Sequence, residues 1–184
     1  MSKFTTLQLC VTGLLAALSV VFNAISITIG NDISITFTYL VSFVAGVFLG
    51  PVMGFSVGII GDVVGCIIAP KGPYMITVTL SSGLMGVLPW LVFYFLRKLP
   101  KYLKIVLSFV LVFLVCTVAI NTTTWYIVYN SKSEYLVYLF TRSYTQGIVV
   151  VINAWIMCLL YNPFEKLFRK FRVSKLFVPY LYKE

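Results

Sequence analysis

Long apolar segments, separated by short breaks rich in Gly, Pro, Asn and charged residues, are the feature that most constrains this chain. A helix of about 20 apolar residues crosses a bilayer. Of the 184 residues, 60% are hydrophobic and 10% are charged, whereas about 25% of the residues in a soluble domain are charged. The composition therefore excludes a water-soluble enzyme or binding module and predicts an all-α integral membrane protein. We expect residues 1–184 to form a single six-helix membrane domain, with transmembrane helices over approximately 7–29, 34–50, 52–69, 75–96, 105–129 and 135–161 and a cytoplasmic tail over 162–184.

The distribution of basic residues predicts the orientation of these helices. The net charge is +9, from 14 Lys and Arg against 5 Asp and Glu, and most of the cations lie at 97–104 or in the tail. Cytoplasmic segments of membrane proteins carry an excess of Lys and Arg, so we expect both termini to be cytoplasmic. Apolar residues recur at helical spacing among the cations of the tail, which predicts an amphipathic basic helix on the inner leaflet; a docking surface for a cytoplasmic partner is the alternative. These apolar residues are Phe164, Leu167, Phe168 and Phe171.

Arg142 is a charged residue inside a predicted span, and such a residue is costly enough to suggest a functional site. Gln146 and Asn153 follow it at spacings that place all three on one face of a helix. A polar stripe on an apolar helix is expected to face a cavity rather than lipid. Two alternatives are that Arg142 extends toward the membrane surface or that it pairs with Asp62, the other charged residue within a span.

Further polar and aromatic residues are expected near the outer ends of neighbouring helices. Asn121 and Trp125 are four residues apart on the fifth helix, and Lys71 and Tyr74 belong to the outer loop 70–74. An aromatic residue at the membrane interface and a plain turn are the ordinary explanations for Trp125 and for this loop. Together with Arg142, however, they suit a flat aromatic ligand that carries a carboxylate.

The sequence offers no catalytic machinery. It contains no histidine, which removes the commonest general base and the commonest zinc ligand. Residues 54–58 match G-x-S-x-G, but without a base, and within a helix of regularly spaced glycines, this match does not predict a hydrolase. The P-loop pattern that binds ATP is missing as well. We therefore expect no catalytic residue, no metal site and no cofactor in this chain.

A longer series of motifs resembles a family of membrane transport subunits. Residues 48–54 read FLGPVMG and residues 58–65 read GIIGDVVG, while the loop 70–74 reads PKGPY and residues 79–81 read TLS. The order and spacing of these motifs, in a basic chain with six spans, are similar to those of the substrate-binding S components of energy-coupling factor (ECF) vitamin transporters. Within that group they most resemble the folate family.

The resemblance implies a division of labour. An S component captures its vitamin from outside, and a separate module of one membrane coupling protein and two cytoplasmic ATPases uses ATP to drive uptake. This chain would then be a multi-pass transport subunit of a prokaryotic-type cell membrane, surrounded by the lipid bilayer and without a nucleic acid partner. Family members meet the coupling protein through small residues on the first helix, which by their spacing alone could equally pack inside the bundle. The matching residues are Gly13, Ala16 and Ala17.

The folate resemblance also implies roles for the predicted site residues. Arg142 would pair with a ligand carboxylate, and Lys71 would add positive charge from the loop that closes the pocket. Trp125 and Tyr74 would stack on the pteridine or aminobenzoyl rings, while two amide side chains would bind the ring nitrogens and the exocyclic amine. The predicted substrate-binding residues are Arg142, Lys71, Trp125, Asn121, Gln146, Tyr74 and Thr79.

Three other functions stay open from the sequence. An S component for another vitamin or for a pyrimidine precursor would keep the fold and the partners but change the ligand. A small autonomous carrier or channel would move its substrate without ATPase partners. An integral-membrane enzyme would need a polar catalytic cluster, which the sequence does not offer.

Overall fold

The computed structural model describes residues 6–29, 33–70, 72–129 and 134–170, which form six helices and one small hairpin. Five of these helices are long and apolar enough to cross a membrane, and one is shorter. This is the helical architecture that the sequence predicts. In chain order the elements are α1 (Thr6–Ala24), β1 (Ile27–Ile29), β2 (Ile33–Ile35), α2 (Thr38–Leu49), α3 (Pro51–Ile68), α4 (Ile76–Phe95), α5 (residues 101–129) and α6 (Tyr135–Lys170).

Gly50 and Pro51 divide one long apolar stretch into α2 and α3, as predicted. Gly50 has φ 100° and ψ 173°, a backbone conformation that residues other than glycine rarely adopt. Its N–H donates to the carbonyl of Gly46 at 3.1 Å and closes the last turn of α2. Pro51 then begins α3, where its missing N–H costs no helical hydrogen bond. The short α2 is deeply buried in the bundle.

Glycines bring the backbones of neighbouring helices into direct contact. A Cβ atom on Gly46 of α2 would collide with the carbonyl of Gly86 of α4, and one on Gly54 of α3 would lie 2.7 Å from the Cα of Gly46. On the other side of α3, a Cβ atom on Gly65 would lie 2.7 Å from the side-chain nitrogen of Asn23 in α1. This is the small-residue packing that membrane helices use, and it fixes α1, α3 and α4 as one layer.

The chain between α1 and α2 differs from the predictions of a first helix over 7–29 and of a second helix that begins at residue 34. Helix α1 ends at Ala24, and β1 and β2 follow as an antiparallel pair with Ile27 opposite Ile35. The physical reason is local, because residues 26–36 alternate β-branched residues with smaller or polar ones around a Gly-Asn-Asp break. Such alternation favours strands over a helix.

The C-terminal region also differs from the prediction, which separated the sixth span from a tail at residue 162. Helix α6 continues through Pro163 to Lys170 without a break. Tertiary packing outweighs the lost hydrogen bond, because Phe168 is buried with its ring centroid 4.7 Å from that of Phe48. Phe168 therefore packs on the bundle instead of facing lipid. Residues 171–184, with the rest of the predicted amphipathic helix, lie outside the described residues.

The interior has two chemically different ends. Phe43, Phe109 and Tyr161 belong to an aromatic core, in which the rings of Phe43 and Phe109 are 5.3 Å apart. This core lies toward the basic ends of α4, α5 and α6. Polar side chains collect at the opposite end, beside the hairpin. The orientation of these two ends in the membrane stays a prediction.

Candidate functional site: a polar cavity beside the hairpin

A cavity of about 180 Å³ lies at the polar end of the bundle. All six helices and the residues flanking the hairpin contribute to its walls, which combine charged, amide, hydroxyl and aromatic side chains. Residues of the loop between α3 and α4 form part of the rim. The structure thus brings residues that are far apart in sequence around one enclosed space.

Five of the seven predicted substrate-binding residues line this cavity, and a sixth lies beside it. Thr79 is buried, and its Oγ1 atom lies 2.7 Å from Asp62 Oδ2 and 2.9 Å from Tyr74 Oη. It therefore supports two lining residues instead of lining the cavity itself. Lys71 lies outside the described residues, so its predicted role stays a prediction. The five lining residues are Tyr74, Asn121, Trp125, Arg142 and Gln146.

Arg142 is held within the cavity wall. Only 8% of its surface is exposed, its Nη1 atom donates to the hydroxyl of Tyr138 at 3.0 Å, and its guanidinium carbon lies 5.4 Å from the ring centroid of Trp125. The side chain therefore does not extend to the membrane surface. Nor do Arg142 and Asp62 form an ion pair among the described residues. A cation stacked on an aromatic ring in a dry site keeps its attraction for an anionic ligand.

Asp62 is the second charged residue of the cavity, and the sequence did not predict it as a site residue. It is 8% exposed and accepts a hydrogen bond from Thr79 through Oδ2, as expected for an acid bonded within the fold. It also lines the cavity, where Oδ1 has no protein partner among the described residues. The rule that an ionisable residue within a span suggests a site applies to Asp62 as it does to Arg142, but its glycine-rich, apolar surroundings favoured a hydrogen bond within the fold.

The amide side chains on α5 and α6 have different roles. Asn121 lines the cavity, and its buried Oδ1 atom has no hydrogen-bond partner in the part of the chain that the structure describes. Gln146 also lines the cavity. Asn153 lies deeper and donates to the carbonyls of Val149 at 2.8 Å and Thr36 at 3.2 Å. Asn153 thus anchors the end of the hairpin instead of reaching the cavity.

Residues on either side of the hairpin complete the cavity, and the sequence analysis missed them. The hydroxyl of Tyr39 lies 2.9 Å from Thr117 Oγ1, which joins α2 to α5 across the cavity floor. Thr36 and Thr38 line the wall next to Tyr39, with their hydroxyls 2.6 Å apart. The alternation of residues 26–36 carried the signal, since a hairpin there brings these hydroxyls to the end of the bundle.

The small residues predicted to meet a coupling protein do not all face outward. Ala16 is 5% exposed and packs in the core, whereas Gly13 and Ala17 are exposed on α1. A Cβ atom on Gly13 would meet no atom within 4 Å. Ala16 is therefore not accessible to a partner in this structure, and the exposed small pair is Gly13 and Ala17.

Comparisons with known proteins agree with this architecture. A sequence model of the ECF-type riboflavin transporter S-component family matches residues 3–167. The chain belongs to this family. A UPF0397 protein of Streptococcus gordonii is 30% identical to this S component over 165 residues, which cover 82% of this chain and 81% of that protein. The crystal structure of FolT bound with folic acid matches with a TM-score of 0.67 at 24% identity, covering 86% of this chain and 92% of that one.

These findings confirm the predicted class of protein. The chain is a vitamin-binding S component, a non-catalytic subunit of an ECF transporter. The likeness to FolT shows the same helical membrane fold. Its apolar helices agree with a multi-pass membrane protein.

Proposed function

We propose that this S component binds folate and presents it to an ATP-driven ECF module for uptake. The observation that carries the proposal is the buried guanidinium of Arg142 in the cavity wall. A charge in a membrane interior is retained where it has a function. Folate carries carboxylates on a chain of flat aromatic rings, and this is the chemistry that such a wall recognises.

The two charged residues would bind opposite ends of the ligand. Arg142 would hold a carboxylate, since guanidinium–carboxylate pairs form strong, directional hydrogen bonds, and Trp125 would stack on a ring of the ligand. Asp62 offers an acceptor to the pteridine ring, whose N3–H and 2-amino group are adjacent donors. Asn121 and Gln146 supply further amide groups for the edges of the rings. A ligand with a donor-rich ring at one end and an anion at the other fits this distribution.

The cavity must enlarge to admit such a ligand. Its volume of about 180 Å³ lies below the range of about 300–1,000 Å³ that is usual for pockets of drug-sized ligands. Residues 72–75 form part of the rim, and Tyr74 is 54% exposed. We propose that this loop moves outward to admit folate and then returns over it, with Lys71 adding positive charge.

The partners follow from membership in the family. Membership in the family implies that this S component works with an ECF module, but it does not specify the subunits of that module. We propose one membrane coupling protein and two cytoplasmic ATPases that use ATP, with Gly13 and Ala17 on the lipid-facing side of α1 as the contact with the coupling protein. Close approach of helices through such small residues requires no displacement of larger side chains.

Riboflavin is the second candidate, because the matching family is described by that vitamin. Riboflavin also has a flat ring system, so Trp125 and Tyr74 could stack on it equally well. It has no carboxylate, however, for Arg142 to bind. A buried arginine in the cavity wall favours the carboxylate ligand.

Ligand-dependent thermal unfolding of the full chain in detergent tests the proposal. The panel contains folate, riboflavin, thiamine, pantothenate, biotin and hydroxymethylpyrimidine. A ligand at about 100 times its dissociation constant stabilises the folded state by about 2.7 kcal/mol, and we expect this stabilisation from folate. A larger shift with riboflavin would replace the ligand, and the absence of any shift across the panel would contradict folate binding.

A further inference from the structure

The opposite end of the bundle carries a second pocket, formed where α5 begins and α6 ends. This groove has a volume of about 400 Å³ and is separate from the polar cavity. Three cations and one acid line it, so the groove carries a net positive charge that would attract an anionic phosphate ester. We call it the basic groove. Its lining residues are Lys101, Asn162, Glu165, Lys166 and Arg169.

The groove is a built site because its side chains hold one another in place. Lys101 donates to Asn162 Oδ1 at 2.9 Å and lies 3.9 Å from a carboxylate oxygen of Glu165. Arg169 pairs with the other oxygen of Glu165 at 2.8 Å. Asn162 donates in turn to the hydroxyl of Tyr102 at 3.2 Å. One carboxylate thus orients two cations, and their summed charge exceeds its own.

Lys166 supplies positive charge that no acid among the described residues neutralises. It is exposed and forms no hydrogen bond or ion pair with another described residue. Arg97, Lys98 and Lys104 add cations from the neighbouring α4–α5 junction. Glu165 is the one acid at this end among the described residues.

The position of the groove along α6 places it at the level of lipid headgroups. It lies about 40–50 Å from the first residue of that helix, at 1.5 Å per residue. A bilayer with its headgroups is about 40–45 Å thick. Tyr135 at the start of α6 is partly exposed, as is usual for an aromatic residue at one interface. The groove then falls in the headgroup layer on the other side.

Exposed apolar residues lie on the same helix ends as the groove. Leu103 on α5 and Leu167 on α6 are 43% and 49% exposed, and helical spacing turns them away from the groove residues. This end of the bundle therefore combines a polar groove with apolar outer faces, which suits a phospholipid better than a soluble phosphate. Basic pockets between membrane helices bind anionic headgroups in this way.

We propose that the basic groove is a binding site for the phosphate headgroup of an anionic phospholipid such as phosphatidylglycerol. Lys101 and Arg169 would hold the phosphate oxygens from the two helices, and Lys166 would close over them. The lipid would also join α5 to α6 at the end where Pro163 weakens the helix. The site is independent of the vitamin cavity, so either proposal can fail alone.

Native mass spectrometry of the purified full chain, titrated with dioleoylphosphatidylglycerol or dioleoylphosphatidylcholine, tests the site. The double variant Lys101→Gln, Lys166→Gln removes two groove cations, and we expect about 25-fold weaker phosphatidylglycerol binding, at about fivefold per charge. The matched control Arg97→Gln, Lys98→Gln removes two cations from the same end, and we expect less than about threefold weakening because neither residue lines the groove and salt screens charges that do not contact the ligand. Equal losses in the two double variants would overturn the site in favour of diffuse surface charge.

Three further measurements distinguish the groove from misfolding and from a soluble phosphate site. Lys166→Gln alone removes no described contact, so its expected fivefold loss does not depend on correct packing of Lys101. Thermal unfolding of each variant without lipid checks that it is folded. Inorganic phosphate in excess should not displace the lipid, and displacement would show a soluble phosphate site instead. Equal binding of both lipids by the wild-type protein would also overturn the proposal.

Discussion

Two arginines at opposite ends of the bundle form the same kind of pair with an aromatic ring. Arg142 lies 5.4 Å from the ring centroid of Trp125, and Arg97 lies 4.7 Å from that of Tyr94. Arg142 is buried in the cavity wall, whereas Arg97 is exposed at the end of α4. The contact geometry is similar, but the surroundings differ in the amount of water that they admit.

The difference shows that burial, more than the contact itself, gives a charge its role. Water and salt screen an exposed cation, and its neighbours contribute little to stability or binding. A buried cation such as Arg142 has lost most of its contact with bulk water, and hydrogen-bond partners or a ligand must compensate for this loss. This difference supports our two proposals, which place the vitamin at the end with few charges and a lipid headgroup at the end with many.

Replacing the two arginines gives the strongest test of this comparison. We expect Arg142→Ala to weaken folate binding by about 10- to 100-fold, because a hydrogen bond to a charged group contributes about 1.5–3 kcal/mol. Arg97→Ala should leave the affinity within about twofold, since exposed charges are screened. Isothermal titration of both variants with folate measures the ratio. Similar affinities for the two variants would remove Arg142 from the site.

Asp62→Asn tests the other charge of the cavity. The amide keeps the oxygen that accepts from Thr79 but presents a mixed donor and acceptor to the ligand. We expect about tenfold weaker binding of folate, whose ring offers two adjacent donors. An analogue with oxygen in place of the 2-amino group serves as the control ligand and should lose less than about twofold. Equal losses for both ligands would indicate a structural role of Asp62 instead.

Trp125→Leu and Trp155→Leu compare a tryptophan in the cavity with one on the lipid-facing surface, and we expect the smallest effect here. Trp125 lines the cavity and Trp155 is 66% exposed. Loss of ring stacking should weaken folate binding about fivefold for Trp125→Leu. Trp155→Leu should bind as the wild type does. Quenching of tryptophan fluorescence by folate, measured in both variants, gives the affinities and also shows which ring is near the ligand.

The helices and most cavity-lining residues could be predicted because their signals are local. Apolar runs show the spans, Gly50-Pro51 shows the break between α2 and α3, and Arg142 is conspicuous in an apolar helix. The spacing of Asn121 to Trp125 and of Arg142 to Gln146 shows which residues share a face. These patterns depend only on helical periodicity.

The features that sequence analysis missed depend on tertiary contacts. Tyr39 reaches the cavity because its hydroxyl bonds to Thr117, 78 residues away. Helix α6 passes Pro163 because Phe168 packs on Phe48, a contact that no local pattern predicts. The hairpin is different, because its alternating pattern is present in the sequence but was divided between the helices predicted over 7–29 and 34–50. In residues 26–36 the two-residue alternation indicates strands, and it predicts the structure better than the hydrophobicity of the segment does.

The crossing of α2, α3 and α4 at Gly46, Gly54 and Gly86 has a consequence for how this protein evolves. Three backbones meet there without side chains between them. An ordinary core can exchange a large residue for a small one when a neighbour changes in the opposite sense. No such compensation is possible where no side chain exists to shrink. We therefore expect relatives to retain glycine at these three positions, whatever vitamin they bind. Their cavity residues, by contrast, should differ according to the ligand.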